Sequence, residues 1–136
     1  MKLQLLLYLI LITATSSVLA DSIVVTTSSY HTKYNAKFNN NNFGIGYEAN
    51  NVGVHVYRNS LDKPSIAFTA SIDKELSTDF VVSAGAVLAF GYYNYPIAFP
   101  VFAVRYEHIR IISSYPIGTS LGLFDIVTAQ LVIPLN

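Results

Sequence analysis

The chain has 136 residues, and its eight Lys and Arg are balanced by eight Asp and Glu, so it fits one domain without the basic surface that nucleic-acid binding requires. Hydrophobic residues make up 52% of the chain and charged residues 12%, a composition that also excludes an intrinsically disordered protein. There is no Cys, so the protein cannot form disulfides.

The N-terminal 20 residues have the three parts of a secretory signal peptide. Lys2 is the positive region, Leu3 to Ile12 form the apolar core, and small residues follow up to Ala20. An apolar core of about ten residues is too short to span a bilayer as a helix, which disfavours a membrane anchor. We therefore predict a signal peptide at residues 1–20 and a mature chain, residues 21–136, that forms a single β-barrel domain.

Beyond the predicted signal peptide, apolar residues alternate with small or polar residues at a period of two, which is typical of β-strands. In residues 65–72, for example, one face is entirely apolar and consists of Ile66, Phe68, Ala70 and Ile72. No later segment reaches the roughly eighteen consecutive apolar residues of a membrane-spanning helix. We predict eight strands, at residues 22–30, 44–48, 52–57, 65–72, 80–91, 97–106, 108–115 and 127–134.

The connections between these strands alternate between long and short. Asn50-Asn51 suits a two-residue hairpin turn because Asn tolerates positive φ, and Glu107 allows an equally tight reversal. The connection around residues 73–79 is an exception to the alternation. The longer connections are the first, third, fifth and seventh, at residues 32–42, 59–64, 92–96 and 116–121. Such a pattern with an even strand number predicts an all-β fold, an eight-stranded antiparallel up-and-down β-barrel (a meander).

The faces of the predicted strands favour a membrane barrel over a soluble one. The non-aliphatic faces carry small, mostly uncharged residues such as Gly46, Gly53 and Thr69, where a soluble barrel would present more charge to water. Aromatic residues also cluster near the strand ends, as in the girdles of membrane barrels: Tyr30, Tyr34, Phe38, Phe43, Tyr92, Tyr93, Tyr95, Tyr106 and Tyr115. The alternative is that these aromatics cap the core of a soluble barrel.

Two features count against membrane insertion. Spanning strands need about 9–11 residues, and eight such strands leave few residues of the mature chain for turns. The chain also ends at Asn136 without the terminal aromatic residue usual in outer-membrane barrels, and Pro134 lies inside the last predicted strand.

Several short segments have a distinctive sequence, at residues 29–31, 34–35, 42–48, 56–60, 99–100 and 114–118. On these segments the mature chain resembles a group of small exported β-proteins encoded by Gram-negative bacteria and their phages. The resemblance implies an exported β-protein and no particular activity.

A histidine near serines, His31, followed by asparagines and the Asn42-Phe43-Gly44 segment, remotely resembles the outer-membrane lipid A 3-O-deacylases. That family implies an eight-stranded barrel with a hydrolytic site of Ser, His and Glu. Its serine follows the histidine by two residues, whereas here Ser28 and Ser29 precede His31.

The residues themselves give a candidate catalytic set of Ser29, His31 and Glu48. Ser29 and His31 share a face at period two, and pairing of the first two strands brings Glu48 towards His31. A hairpin at Asn50-Asn51 also places Glu48 diagonal to His55, which is therefore an alternative base.

The alternative for Glu48 is a purely structural role. A buried carboxylate bound by Tyr57, Arg58 or Arg105 would stabilise a small barrel without any reaction.

No metal or cofactor is predicted. The three histidines, His31, His55 and His108, are widely spaced and there is no Cys, which disfavours a metal site. Gly44-Ile45-Gly46 lacks the third glycine of a dinucleotide loop, and the Asn39 to Asn42 run is interpreted as a solvated loop.

Together these patterns predict an exported protein in or at the outer membrane, in preference to the periplasm, with a non-enzymatic structural or interaction role. Its predicted partner is outer-membrane lipid or an envelope protein and not nucleic acid, and phage-encoded modification of the host surface is one form of this role. The alternatives are a serine esterase acting on lipid A or another acyl lipid, and a soluble periplasmic barrel that binds a small apolar ligand. The sequence does not specify the oligomeric state.

Overall fold

A computed structural model describes residues 21–32, 38–115 and 125–135. The predicted signal peptide, residues 1–20, and the predicted girdle residue Tyr34 lie outside these ranges. The described residues form eight strands: β1 (Ser22–His31), β2 (Gly44–Ala49), β3 (Val52–Arg58), β4 (Pro64–Glu75), β5 (Phe80–Phe90), β6 (Ile97–Tyr106), β7 (Ile109–Ser114) and β8 (Ile126–Pro134).

Each strand pairs antiparallel with its neighbours in sequence, and β8 pairs with β1 to close the barrel. The predicted all-β, eight-stranded antiparallel up-and-down barrel is therefore confirmed. Closure leaves no unpaired strand edge and creates an enclosed interior. No helix long and apolar enough to cross a membrane occurs among the described residues.

The short connections all lie at one end of the barrel, which we call the turn end. Asn50 and Asn51 both have positive φ and join β2 to β3, as the hairpin prediction requires. The connection predicted at residues 73–79 is shorter than expected, because the backbone of Asp73, Lys74 and Glu75 continues to pair with β5. The long connections, at residues 32–43, 59–63, 91–96 and 115–125, share the opposite end, which we call the loop end.

A β-bulge in β1 decides which of its residues face inward. The register against β8 shifts between Thr26 and Ser28, so Thr27 and Ser28 are both exposed on the outside. The buried residues therefore change from even positions, ending at Thr26, to the odd positions Ser29 and His31. The prediction that Ser29 and His31 share a face is confirmed, and that face is the interior.

The outer face of the barrel is apolar, and most of the fully buried residues are polar. Among the described residues, the buried hydrophobic side chains are only Val24, Ala67, Val81, Ala89 and Val132. The buried polar ones are twice as numerous: Ser22, Thr26, Ser29, His31, Asn42, His55, Asn59, Ser65, Ser113 and Gln130. Outward positions within the strands are instead occupied by large exposed apolar residues, including Ile45, Val54, Val56, Ile66, Phe68, Ile72, Leu88, Phe102, Val104, Ile111, Leu131 and Ile133.

Gly46 is required by the close approach of a neighbouring side chain. It pairs with His55 across β2 and β3, and both residues are buried in the interior. A Cβ atom at position 46 would collide with the His55 imidazole ring. The small face of β2 therefore gives His55 the space to lie flat against the barrel wall.

We expect Gly46→Ala to lower the free energy of unfolding by about 1–3 kcal/mol, because the added methyl group overpacks the interior against His55. Urea unfolding followed by far-UV circular dichroism measures this loss. The same change in a His55→Ala background should cost much less, since the colliding ring is gone. Equal costs in both backgrounds would contradict this account of Gly46.

Candidate functional site

A cavity of about 260 Å³ occupies the barrel interior. Its wall includes His31 and Ser60 from the loop end and Glu48 and Arg110 from the strands. Small side chains from β4 and β5 leave the space between them: Ala67, Thr69, Ser71, Ser83 and Gly85. The candidate site therefore consists of two polar groups of residues that face one cavity.

The first group is centred on an ion pair across the barrel. Arg110 on β7 donates from Nη1 to Glu48 Oε2 at 2.9 Å and from Nη2 to Glu48 Oε1 at 2.6 Å. His55 Nε2 lies 3.2 Å from Glu48 Oε1. A two-pronged guanidinium–carboxylate pair of this kind is strong and fixes the orientation of both groups.

Hydrogen bonds extend this pair to the closing strands. Arg110 Nε donates to Gln130 Oε1 at 2.8 Å, and Gln130 Nε2 donates to Thr26 Oγ1 at 3.0 Å. The chain of contacts thus runs from His55 on β3 across the interior to Thr26 on β1. We call these five residues, Thr26, Glu48, His55, Arg110 and Gln130, the Glu48 network. Within the described part of the chain, every buried side-chain nitrogen and oxygen has a hydrogen-bond partner.

The second group surrounds His31, which is completely buried. Its Nδ1 lies 2.7 Å from Asn40 Oδ1 and its Nε2 lies 3.0 Å from Ser60 Oγ. An amide oxygen can only accept, so Nδ1 carries the hydrogen and Nε2 of the neutral ring is an acceptor. The Ser60 hydroxyl therefore donates to His31, which is the arrangement of a nucleophile, a base and a residue that orients the base. We call these three residues the Ser60 triad.

The rest of the loop end holds the Ser60 triad in place. Phe38 stacks on the His31 ring, with the centroids 4.6 Å apart. Asn59, also fully buried, accepts at Oδ1 from the backbone of Leu61 at 2.8 Å and of Lys63 at 3.1 Å. Its amide group donates to Ser65 Oγ at 2.8 Å and to the carbonyl of residue 91 at 3.1 Å. Four hydrogen bonds of one side chain thus fix the loop that carries Ser60.

A half-buried tyrosine, Tyr92, lines the same cavity as Ser60. Burial raises the pKa of Tyr92, while hydrogen bonds with Tyr57 and Ser60 act in the opposite direction. Tyr57 donates to the Tyr92 hydroxyl over 3.3 Å. Because the net shift is upward, Tyr92 keeps its hydroxyl hydrogen at neutral pH. Phe38 and Tyr92, which the sequence places in an aromatic girdle, line the cavity instead.

The structure does not bring Ser29, His31 and Glu48 together. Ser29 Oγ donates to Asn42 Oδ1 and not to His31. Glu48 pairs with Ser22, which is at the opposite end of β1 from His31, so the register separates the carboxylate from the histidine.

The predicted proximity of Glu48 to His55 is confirmed by their 3.2 Å contact. The carboxylate is bound mainly by Arg110, whereas the sequence suggested Tyr57, Arg58 or Arg105. Arg58 faces outward and pairs with Asp62 at the exposed loop end.

Sequence reasoning missed Ser60, Asn40 and Arg110. The Asn39 to Asn42 run was interpreted as a solvated loop, yet Asn40 contacts the buried His31. One signal was available: in a meander the first and third connections share an end, so polar residues of both loops can meet there. Arg110 gave no such signal, because its contact with Glu48 crosses the barrel.

Comparison with protein-family models and with curated proteins finds no match to this chain. The two resemblances drawn from the sequence therefore stay predictions. Among the residues with described positions, no group of three or more His, Asp or Glu could hold a metal ion.

We expect Arg110→Met to lower the free energy of unfolding by about 3 kcal/mol, the low end of the range for buried pairs, because the half-buried Glu48 carboxylate loses its main partner and keeps only His55. Replacing both residues, as Glu48→Leu with Arg110→Met, should recover most of that loss. Arg58→Met is the matched control, since its exposed pair with Asp62 is screened by water and should contribute little. The measurement is urea unfolding, and a similar cost at both arginines would argue against the Glu48 network as a stabilising element.

Proposed function

We propose that the protein is an outer-membrane β-barrel with a structural or interaction role in the cell envelope, exported by the predicted signal peptide at residues 1–20. The observation that carries this proposal is the apolar outer surface of the barrel. A soluble protein rarely exposes apolar surface on every side, because contiguous apolar patches promote association. Lipid is the solvent in which such a surface is stable.

The distribution of charge supports the same conclusion. Among the strand residues that the structure describes, charged side chains face inward or lie near strand ends. Glu48 and Arg110 are inside, Arg58 ends β3 at the loop end, and Lys74 and Glu75 end β4 at the turn end. The outward middle of the barrel wall is therefore free of charge in this part of the chain, as a hydrocarbon environment requires.

Exposed aromatic residues lie at both ends of this apolar wall. The loop end has Tyr30, Phe43, Tyr93, Tyr95 and Tyr115, and the turn end has Tyr47 and Tyr106. Aromatic rings, especially those with a polar hydroxyl, favour the interface between lipid and water. Their positions support two interfacial girdles.

The strand lengths favour a thin membrane. β4, β5 and β6 have 10–12 residues, which is sufficient to cross a bilayer. β2, β3 and β7 have only six or seven residues each. The hydrocarbon layer therefore has to be thinner where these short strands form the wall. The bacterial outer membrane is thinner than the average bilayer, which suits these lengths better than other membranes would.

The barrel interior favours a structural or interaction role over conduction. The Glu48 network crosses the interior from β3 to β1, and the cavity of about 260 Å³ beside it does not amount to an open channel. The long loops at the loop end then offer the surface for contact with outer-membrane lipid or with another envelope protein.

We expect the protein to fractionate with the outer membrane, to need detergent for extraction, and to migrate differently on gels before and after heating. Phe68→Lys, on the outward wall, should lower the free energy of unfolding in detergent or lipid by about 2–4 kcal/mol, because the charge faces hydrocarbon. Leu76→Lys, in a turn at the turn end, is the matched control and should have little effect.

A soluble barrel would behave in the opposite way. It would be released into buffer without detergent, and Phe68→Lys would leave its stability unchanged or improve its solubility. Either result would overturn the membrane proposal.

A further inference from the structure

We propose that the Ser60 triad is a serine esterase site, in which Ser60 is the nucleophile, His31 the general base and Asn40 the residue that orients His31. Its substrate is a small, uncharged carboxylic ester that occupies the cavity. This inference goes beyond the structural role proposed above, and none of its catalytic residues belongs to the Glu48 network.

The geometry of the triad supplies the first argument. Three separate segments, β1 and the loops that follow β1 and β3, bring together three side chains with contacts of 2.7 and 3.0 Å. Asn40 fixes the tautomer that leaves Nε2 free to accept the Ser60 proton. The partner at Nε2 is a hydroxyl, which becomes more nucleophilic as it donates to the imidazole.

The accessibility of Ser60 supplies the second argument. His31 is completely buried and stacked against Phe38, so its ring is held in one orientation. Ser60 is partly exposed, and both Ser60 and His31 line the cavity. A substrate in the cavity can therefore reach the hydroxyl, and water can reach the base.

The Tyr92 hydroxyl can stabilise the negative charge that develops on the carbonyl oxygen of the ester. Tyr92 and Ser60 line the same cavity, and the Tyr92 hydroxyl accepts a hydrogen bond from Tyr57, which leaves its own hydrogen to donate. A protonated hydroxyl beside the nucleophile can donate to the oxyanion of a tetrahedral intermediate.

The reaction then follows from these positions. Ser60 Oγ bonds to the ester carbonyl carbon as its proton passes to His31 Nε2, and the carbonyl oxygen becomes an oxyanion. Collapse of this intermediate breaks the bond to the alcohol oxygen, and the alcohol leaves with the proton from His31. Water, deprotonated by His31, attacks the acyl-Ser60 ester in the same way, and the carboxylic acid and the free serine are released.

The cavity limits the substrate. Its volume of about 260 Å³ is below the roughly 300–1,000 Å³ of pockets that hold drug-sized ligands. The charges in its wall are already paired with each other, since Arg110 binds both oxygens of Glu48. A short-chain ester without charge fits this lining better than an ionic one.

The first test uses the full-length mature protein in detergent with a fluorophosphonate probe. We expect a covalent adduct that peptide mass spectrometry locates at Ser60 and that is lost in Ser60→Ala. Ser28→Ala is the matched control, because Ser28 is an exposed serine on the outside of β1. An adduct at Ser29 instead, or no adduct on protein that has the far-UV circular dichroism spectrum of a folded β-protein, would overturn the proposal.

The second test measures hydrolysis of p-nitrophenyl acetate. Ser60→Ala and His31→Ala should each lower kcat by about 10²–10⁴-fold, the usual contribution of a positioned base and its nucleophile. Asn40→Ala should lower kcat with little change in KM, since Asn40 acts through His31 and not on substrate. Hydrolysis by Ser60→Ala at the wild-type rate would refute the site, because this variant removes only the hydroxyl. Neither result depends on where the protein fractionates, so the membrane proposal is tested separately.

Discussion

The pairing of β1 with β8 is the contact on which the rest of the structure depends. It joins the first and last strands over nearly their whole length and thereby turns a sheet into a closed barrel. Only after closure do Glu48 and Arg110 face each other across an interior. Only then is the inward side chain of His31, on β1, enclosed by the barrel. The bulge at Thr27 belongs to the same pairing and directs Ser29 and His31 inward. Closure of the barrel and the inward orientation of His31 therefore have one structural origin.

The two faces of the wall explain how such a barrel can be stable. Its interior combines apolar side chains such as Val87, Phe99 and Ile112 with the Glu48 network and the buried asparagines, which provide hydrogen bonds and charge pairing there. Under the membrane proposal, lipid stabilises the apolar wall. The Glu48 network and the Ser60 triad both face the cavity, the triad from the loop end. The structural proposal thus depends on the outer wall, and the chemical proposal on the Ser60 triad.

Local patterns predicted the contacts that depend on one hairpin. The positive φ available to Asn50 and Asn51 set the register of β2 and β3, and this register brings Glu48 next to His55. The same reasoning failed for Ser29, His31 and Glu48, because antiparallel register places Glu48 opposite Ser22. The fourth connection was also expected at residues 73–79, but the backbone of β4 continues to pair with β5 as far as Glu75.

The sequence by itself determined the class and order of the elements. The chain itself shows alternation at period two, small turn residues and an even number of predicted strands. These features were sufficient to predict an eight-stranded meander. Only the tertiary structure decided which side chains meet in the interior. Arg110 reaches Glu48 across the barrel, and His31 joins Asn40 and Ser60 from two loops. These contacts depend on closure, on the stagger of the strands and on the bulge in β1, and the alternation of residues along a single strand contains none of this information.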